Sequence, residues 1–269
     1  MQNKKVLFVS AEMIPYLADN EVSINSYELP KFVHTQGGQI RIFMPRFGNI
    51  NERRHQLHEV IRLSGMNLVV NKIDTPLIIK VASIPRERIQ VYFIENEEYF
   101  KRKATFSDED DVLYPDNDER AIFFAKGVVE TVKKLNWLPD IIHIHGWMAS
   151  LLPLYIRTFY KNEALFKTSK IITSVYTKDF QGTLDNMLFN KIKSDGIKAA
   201  DCTQLQEPSY NHLIQNAIQH SDGVIIASDD LNLELTKFIE SSSKPFLPFA
   251  PKEEMMEAHR VFYNKLLEK

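Results

Sequence analysis

KKVLFVSAEMIPYLADNEVSINSYELPKFVHTQGGQIRIFMP, residues 4–45, is the stretch whose reading decides the fold. Its opening, KKVLFVS (4–10), runs aliphatic, β-branched and aromatic side chains without alternation, the pattern of a strand covered on both faces. A loop containing Pro15 follows. From Ser23 to Thr35 apolar residues return at helical spacing (Ile24, Tyr27, Leu29, Phe32, Val33), and Gly37-Gly38 provides a stop. Residues 40–45, IRIFMP, are another β-rich run, ended by proline. Strand, helix, strand is a βαβ unit, which predicts a parallel sheet with right-handed crossovers.

The rest of the chain extends this pattern. LHEVIRL (57–63), MNLVV (66–70), PLIIKVASI (76–84) and IQVYFI (89–94) are β-leaning runs with short polar breaks, read as hairpins or an antiparallel extension. Residues 107–119, SDEDDVLYPDNDE, read as an acidic surface loop. Residues 119–135 place Ile122, Phe123, Ala125, Val128, Val129 and Val132 on one helical face and lead into the strand DIIHIH (140–145). A helix over Met148–Tyr160, a strand over Lys170–Val175, a helix over 209–220 and a last strand GVIIAS (223–228) follow, with Asp229-Asp230 placed to cap the next helix. Residues 241–251 are proline-rich and extended, and 252–269 form a charged amphipathic helix. The fold class expected is α/β, a doubly wound, Rossmann-like parallel sheet.

Composition bounds the function. The 269 residues, 44% hydrophobic and 25% charged, suit a sizeable core, and the formal charge of −2 gives no basic field for nucleic acid. The single cysteine, Cys202, excludes an internal disulfide and fits a reducing compartment. No apolar run reaches the ~20 residues that span a bilayer, and Lys4-Lys5 leads directly into a strand rather than a signal sequence. The expectation is a cytoplasmic protein that binds neither membrane nor nucleic acid and carries no cofactor.

The junctions between elements resemble the bacterial glycogen/starch synthases, ADP-glucose-dependent glycosyltransferases of family 5 with a two-domain GT-B fold. VLFVSAEMIPY resembles the family's opening strand and Glu-x-x-Pro-Phe/Tyr turn through Glu12, Pro15 and Tyr16. Leu29-Pro30-Lys31, Gly37, Arg41 and Met44-Pro45-Arg46-Phe47-Gly48 continue the match. Tyr99-Phe100-Lys101-Arg102 is similar to "YFDR", Tyr114-Pro115-Asp116-Asn117 with Glu119-Arg120 to "YPDNxERF", and His143-Ile144-His145-Gly146-Trp147 to "HxHDW". Leu151-Leu152-Pro153-Leu154-Tyr155 resembles "LLPLYL", and Phe180-Gln181-Gly182 resembles "YQG". The resemblance implies a starch-synthase-like domain over 1–250 with the helix 251–269 beside it, the N-terminal half of a GT-B enzyme. It implies a substrate cleft of Glu12, Tyr16, His143, His145, Trp147, Tyr176 and Gln181, with an α-glucan or a sugar nucleotide as ligand.

Departures from the family weigh against catalysis. Its Lys-Thr-Gly-Gly-Leu loop, which the resemblance places at the nucleotide-sugar phosphates, falls on Ala18-Asp19-Asn20-Glu21-Val22. Ala18 removes the cation, Asn20 and Glu21 replace the glycines, and acidic side chains would cost on the order of several kcal/mol beside a desolvated diphosphate. The histidine of "TIHNLAYQG" falls on Tyr176 and its asparagine on Thr177, and the aspartate of "HxHDW" on Gly146. In the family a C-terminal domain holds most of the nucleotide, and 269 residues leave no room for it. No residue is assigned a catalytic role. The first reading is a degenerate glucosyltransferase, the second a non-enzymatic module binding a glucan, a metabolite or a protein, and the third an enzyme half completed in trans.

Plainer readings stand beside these. His143 and His145 share one strand face with metal-ligand spacing, but no third ligand lies near, so no metal is expected. Gly37-Gly38 is a helix stop rather than a phosphate loop, and Asp108–Asp111 lacks a calcium-loop pattern. Cys202 reads as a plain thiol, and Trp147 as a core residue beside the cleft. The 252–269 helix either packs on its own domain or meets a second copy or a partner protein through Met255, Met256, His259, Phe262, Tyr263 and Leu266.

Overall fold

The structure, a computed structural model, describes residues 1–85, 87–177 and 180–268; Lys269, the last residue of the expected C-terminal helix, lies outside them. Strand β1 (Lys5–Ser10) runs through the middle of the sheet, with Val6, Phe8 and Val9 fully buried. After α1 (Glu21–Thr35), β2 (Gln39–Pro45) returns parallel to β1, pairing Val6 with Ile40 and Phe8 with Ile42. Then come α2 (Glu52–His55), β3 (His58–Glu59), β4 (Met66–Val70), β5 (Ile73–Ser83), β6 (Gln90–Glu95), α3 (Glu97–Phe100) and α4 (Asn117–Lys134). The second half runs β7 (Ile141–His145), α5 (Leu151–Arg157), β8 (Lys170–Val175), α6 (Leu188–Ser194), α7 (Tyr210–Gln219), β9 (Gly223–Ile226), α8 (Leu233–Ser241), β10 (Phe246–Leu247) and α9 (Lys252–Leu267).

The strand order is β10-β9-β8-β7-β1-β2-β6-β5-β3, with β4 on β5. Every pairing from β10 to β6 is parallel, and β5 runs antiparallel to β3, β4 and β6. Right-handed crossovers fix the layers: moving from β1 to β2 puts α1 on one face, and moving the opposite way from β6 to β7, β8 and β9 puts α4, α5 and α7 on the other. α9 then returns to the α1 face, touching α1 and β10. This is the doubly wound α/β architecture of the sequence reading.

Several boundaries differ from that reading. α1 starts two residues early because Asn20 caps it: the Asn20 side chain accepts from the Ser23 amide at 3.0 Å and the Ser23 hydroxyl accepts from the Asn20 amide at 2.8 Å. The acidic loop ends sooner than 119, since α4 begins at Asn117, and Asn117 and Asp118 are fully buried. The expected 148–160 helix is a 3₁₀ turn, Trp147–Ala149, followed by α5, which ends at Arg157. β6 is shared: it pairs parallel with β2 on one edge and antiparallel with β5 on the other, so the antiparallel extension begins at its outer edge. β9 is not the last strand, because Phe246 and Leu247 pair outside it, and Ile226 at its end is only half-buried. Asn232, not Asp229 or Asp230, caps α8.

Two of the family-like motifs meet at Gly48. A Cβ there would sit 2.3 Å from the Arg102 carbonyl oxygen and 2.4 Å from that of Lys101, so only glycine lets MPRFG and YFKR pack backbone to backbone. Elsewhere the packing is held by a buried ion cluster. Lys191 on α6 reaches Asp118 at 2.7 Å, Glu119 at 2.9 Å and Asp185 at 3.1 Å, tying the 180s segment to the start of α4. Burial raises the Asp118 carboxyl to about 6, against the pull of the lysine. Lys191→Met strands these carboxylates against one another and is expected to cost about 3 kcal/mol in urea unfolding at neutral pH. An unchanged midpoint would show that the cluster is open to solvent.

Candidate functional site

The chain leaves β1 toward β2 on one side and comes back to β7 on the other, so a crevice opens where the carboxyl ends of β1 and β7 diverge. A cleft of about 630 Å³ occupies it. Its floor and sides come from Glu12 after β1, Gly146 and Trp147 after β7, and Phe180, Gln181, Gly182 and Thr183 after β8. The segment Thr105–Ser107 and Asp111–Leu113 supply the facing wall. Trp147 stands between Phe106, at 5.0 Å between ring centroids, and Phe180, at 5.1 Å.

That wall is anchored by the YPDNxER segment. Asn117 donates to the Phe106 carbonyl at 2.8 Å, Arg120 donates to the Thr105 carbonyl at 2.7 Å, and Asp116 takes both guanidinium nitrogens of Arg102, at 2.6 and 2.5 Å. Arg120 is fully buried, with its guanidinium 5.3 Å from the Phe100 ring centre and 5.4 Å from Tyr114, and burial lowers its pKa to about 10. These motif residues therefore build the cleft rather than face its contents. The sequence reading missed Phe106 and Leu113 because they sit beside the acidic run Asp108–Asp111, and a chain of carboxylates masks two half-buried apolar side chains.

At the other end of the crevice lies the N-terminus of α1, made from the Ala18–Val22 segment. The capping box satisfies the Ser23 amide from within, and the Ala18 carbonyl accepts the Ser23 hydroxyl at 2.9 Å. Glu21 stands in the first turn, at the positive end of the helix dipole. Its carboxylate accepts from the Ser228 hydroxyl, which itself accepts from the Thr177 amide at 3.0 Å. Thr177 donates its hydroxyl to Asp230 at 2.6 Å. Burial, and the nearby Asp230 and Asp229, raise the Glu21 pKa, while the Ser228 bond opposes them. Glu12 accepts from the Asn20 side chain at 2.8 Å. The segments that follow β8 and β9 are thus laced to the start of α1 by side chains of the chain itself.

Of the sequence-derived candidates, the structure gathers Glu12, Trp147 and Gln181 in the cleft. Tyr16 is not there: it is buried against Phe93 and His55 at centroid distances of 5.0 and 4.8 Å. His143, His145 and Tyr176 lie together but beneath the surface, each at most 1% exposed. The alternating strand does project both histidines to one face, and α9 covers that face. Tyr263 of α9 bonds His143 Nδ1 at 2.7 Å, Ser174 bonds His143 Nε2 at 2.7 Å, and the Tyr176 hydroxyl bonds His145 Nδ1 at 2.7 Å. Tyr176 borders a void of about 10 Å³ lined also by Pro248, Phe249 and Ala250. Gly146 has φ +75 and ψ 165, a conformation open to glycine, so the residue that stands for the family's aspartate also fixes the turn into the Trp147 helix. Burial pushes the Cys202 thiol up to about 11, which removes it as a nucleophile at neutral pH. Among the described residues no cluster of His, Cys, Asp or Glu could hold a metal ion, and no helix is long and apolar enough to cross a membrane.

Burial lowers the histidines under α9: His143 falls well below its ordinary range, His145 to about 3 and His259 to about 4. Each folded value lies below the 6.5 of an unfolded histidine, so the unfolded chain binds more protons in between. Their contribution to stability is complete above about pH 6.5 and is lost as the pH falls, at about 1.4 kcal/mol per pH unit for each group. Urea titrations at pH 7 and pH 5 are expected to differ by several kcal/mol, and His259→Asn should shallow the slope by about one proton. A stability that is flat across this range would mean the histidines are solvated. Gly146→Asp, which installs the family residue, is expected to lower stability by about 1–3 kcal/mol because of the backbone strain; unchanged unfolding would show that the turn is not held at positive φ.

Comparison with known proteins gives the chain a family. A family model described as "Starch synthase catalytic domain" matches residues 5–242. Among curated relatives, the glycogen synthase of Chlorobium luteolum is 37% identical over 204 residues, covering 74% of this chain and 41% of its own length. That of Chlorobium phaeobacteroides is 35% identical over 227 residues (82% and 45%), and that of Chlorobaculum parvum 36% over 246 residues (83% and 50%). The chain therefore spans about half the length of the curated relatives it matches. Among solved structures, the "Catalytic domain of Starch Synthase IV from Arabidopsis thaliana bound to ADP and acarbose" shares the fold with a TM-score of 0.75 at 17% identity, over 92% of this chain and 51% of that one. On the match over residues 5–242 and the identity to these synthases, the chain belongs to the starch synthase catalytic domain family.

Proposed function

We propose that the chain is a starch-synthase-type module that holds an α-glucan in the Trp147 cleft and does not transfer glucose from ADP-glucose. The observation that carries this reading is charge. The described residues lining the cleft include the carboxylates Glu12 and Asp111 and no Lys, Arg or His. At the helix end where the family resemblance locates the donor phosphates, Glu21 holds the place, backed by Asp229 and Asp230. A diphosphate entering there meets like charge and a helix terminus already capped by Asn20, and removing even one preorganised contact of this kind costs about 10²–10³ in turnover.

A neutral polyol meets no such penalty. Trp147, Phe106 and Phe180 offer apolar ring surface, and Gln181, Thr183, Ser107 and Glu12 offer hydrogen-bonding groups around it, the mixture that suits a sugar's apolar faces and hydroxyl edges. The fold neighbour is bound to ADP and acarbose, so both ligand classes are the ones to test. Titration with maltooligosaccharides is expected to quench Trp147 fluorescence and raise the melting temperature, while ADP and ADP-glucose leave both unchanged. Incorporation of labelled glucose into glycogen is expected at background. Glu21→Gly with Asn20→Gly and Ala18→Lys should gain an ADP response that the parent chain lacks. Glucose incorporation by the unaltered chain, or an ADP-glucose response as strong as the glucan's, would overturn the proposal.

A further inference from the structure

α9 has two faces. His259, Phe262, Tyr263 and Leu266 are buried against the sheet. On the opposite side Glu254, Ala258, Val261 and Lys265 follow one another at spacings of four, three and four residues, the stripe that stays in register when one helix lies along another. This stripe borders a groove of about 600 Å³, whose other bank is Phe246 and Leu247 of β10. Val261 is 53% exposed and Phe246 39%, and among the described residues β10 is bonded to β9 on one edge with nothing on the other. Glu254 and Lys265 have no ion pair among the described residues, whereas the neighbouring Glu257 is paired with Arg260 on its own helix.

The stripe is complementary to itself. Glu254 stands four residues before Ala258, and Lys265 four residues after Val261, so the pattern reads acid, small, large, base from one end. Reversed, it reads base, large, small, acid. Laid antiparallel on a copy about a two-fold axis, Glu254 faces Lys265 of the copy at both ends, and each Val261 faces an Ala258, where the small side chain lets the helices approach. The helix dipoles then also run in opposite directions. A parallel arrangement would set Glu254 against Glu254 and Val261 against Val261, repulsive at one level and crowded at the next.

We propose that this chain forms a two-fold homodimer in which α9 pairs antiparallel with α9 of a second copy, with the exposed edge of β10 and its Phe246 flanking the seam. The inference rests on the helix stripe and its charges and is independent of what the cleft binds. Sedimentation equilibrium of the full chain, from about 10 to 500 µM, is expected to show a monomer–dimer equilibrium. Because each substitution acts twice across the axis, Glu254→Lys and Lys265→Glu should each lower the association constant by about tenfold or more. The double variant E254K/K265E reverses both charges at once and should restore association to within about threefold of the parent. An equimolar mixture of the two single variants should likewise associate, since the all-basic stripe of E254K then meets the all-acidic stripe of K265E at both ends of the seam. Both positions are on the surface, so melting temperatures are expected to match the parent; should a charge-reversed variant fail to fold, Val261→Asp on the same exposed stripe takes its place and should weaken association to a similar degree. A parent chain that stays monomeric throughout, single variants that associate as well as the parent, or a double variant and mixture that fail to recover would each overturn the proposal.

Discussion

β1 is bonded on both edges, to β2 through Val6–Ile40 and to β7 through Val6–Ile141. Once a central strand is committed in this way, a right-handed chain can leave it only outward on one side and must return to the other. The carboxyl end of β1 becomes the one place in the main sheet where consecutive windings part, and Ser10 to Glu12 emerge there beside His145 to Trp147. The cleft is therefore a consequence of strand order before it is a consequence of any side chain. The apolar run of residues 5–10 is what commits the strand, since Val6, Phe8 and Val9 cannot sit in a sheet with a wet face.

The layer that α9 adds has a different physical basis. Its underside meets a surface that is not apolar: His143, His145 and Ser174 project from the sheet and need hydrogen bonds once water is excluded. Tyr263 supplies one of these, and the His259 ring donates to the Met255 carbonyl at 2.7 Å and so stays in register within its own helix. The Tyr263 hydroxyl keeps its proton because burial raises its pKa well above the ordinary phenol value. It can then serve as donor to a neutral imidazole, leaving the other ring nitrogen to donate to Ser174. A helix docked by such bonds depends on histidine neutrality, in a way that one docked by leucines would not.

What the sequence made legible follows from the range of the signal. Central strands and α1 announced themselves through contiguous apolar runs and helical spacing, which are local. The acidic stretch before α4 misled because Asp118, read as a solvated loop residue, finds its partner Lys191 far along the chain and is buried with it. The same blindness affected the candidate site. His143 and His145 were placed correctly on one strand face, but strand alternation says nothing about whether the face is open or roofed, and the roof is formed by Tyr263 more than a hundred residues later. Tyr16 belonged to a motif beside the cleft and yet packs under β6, as a turn residue that closes on Phe93 does. Glu12 and Trp147 were legible because each stands two residues past a strand end, where the topology and the family motifs agree, and Gln181 was legible through its motif alone.

The Ala18–Val22 segment shows how the start of α1 is held by the chain's own side chains. Glycines at a helix N-terminus leave amides exposed for an anion, with some loss of helix stability. Asn20 and Ser23 here close the same terminus with a capping box, typically about 1 kcal/mol of helix stabilisation, and Glu21 brings its own carboxylate to the dipole. The terminus is then satisfied without a ligand, and Ser228 and Thr177 lock it to the adjoining strand ends. Gly146 acts in the same direction: at positive φ the backbone enters the Trp147 helix without presenting a carboxylate to the cleft. Each change removes a group that the family resemblance assigns to ligand recognition, and the contacts seen at Asn20 and Glu21 hold the scaffold in place. Internal hydrogen bonds and a bound anion draw on the same few amides at the start of α1, so stability and ligand binding compete there.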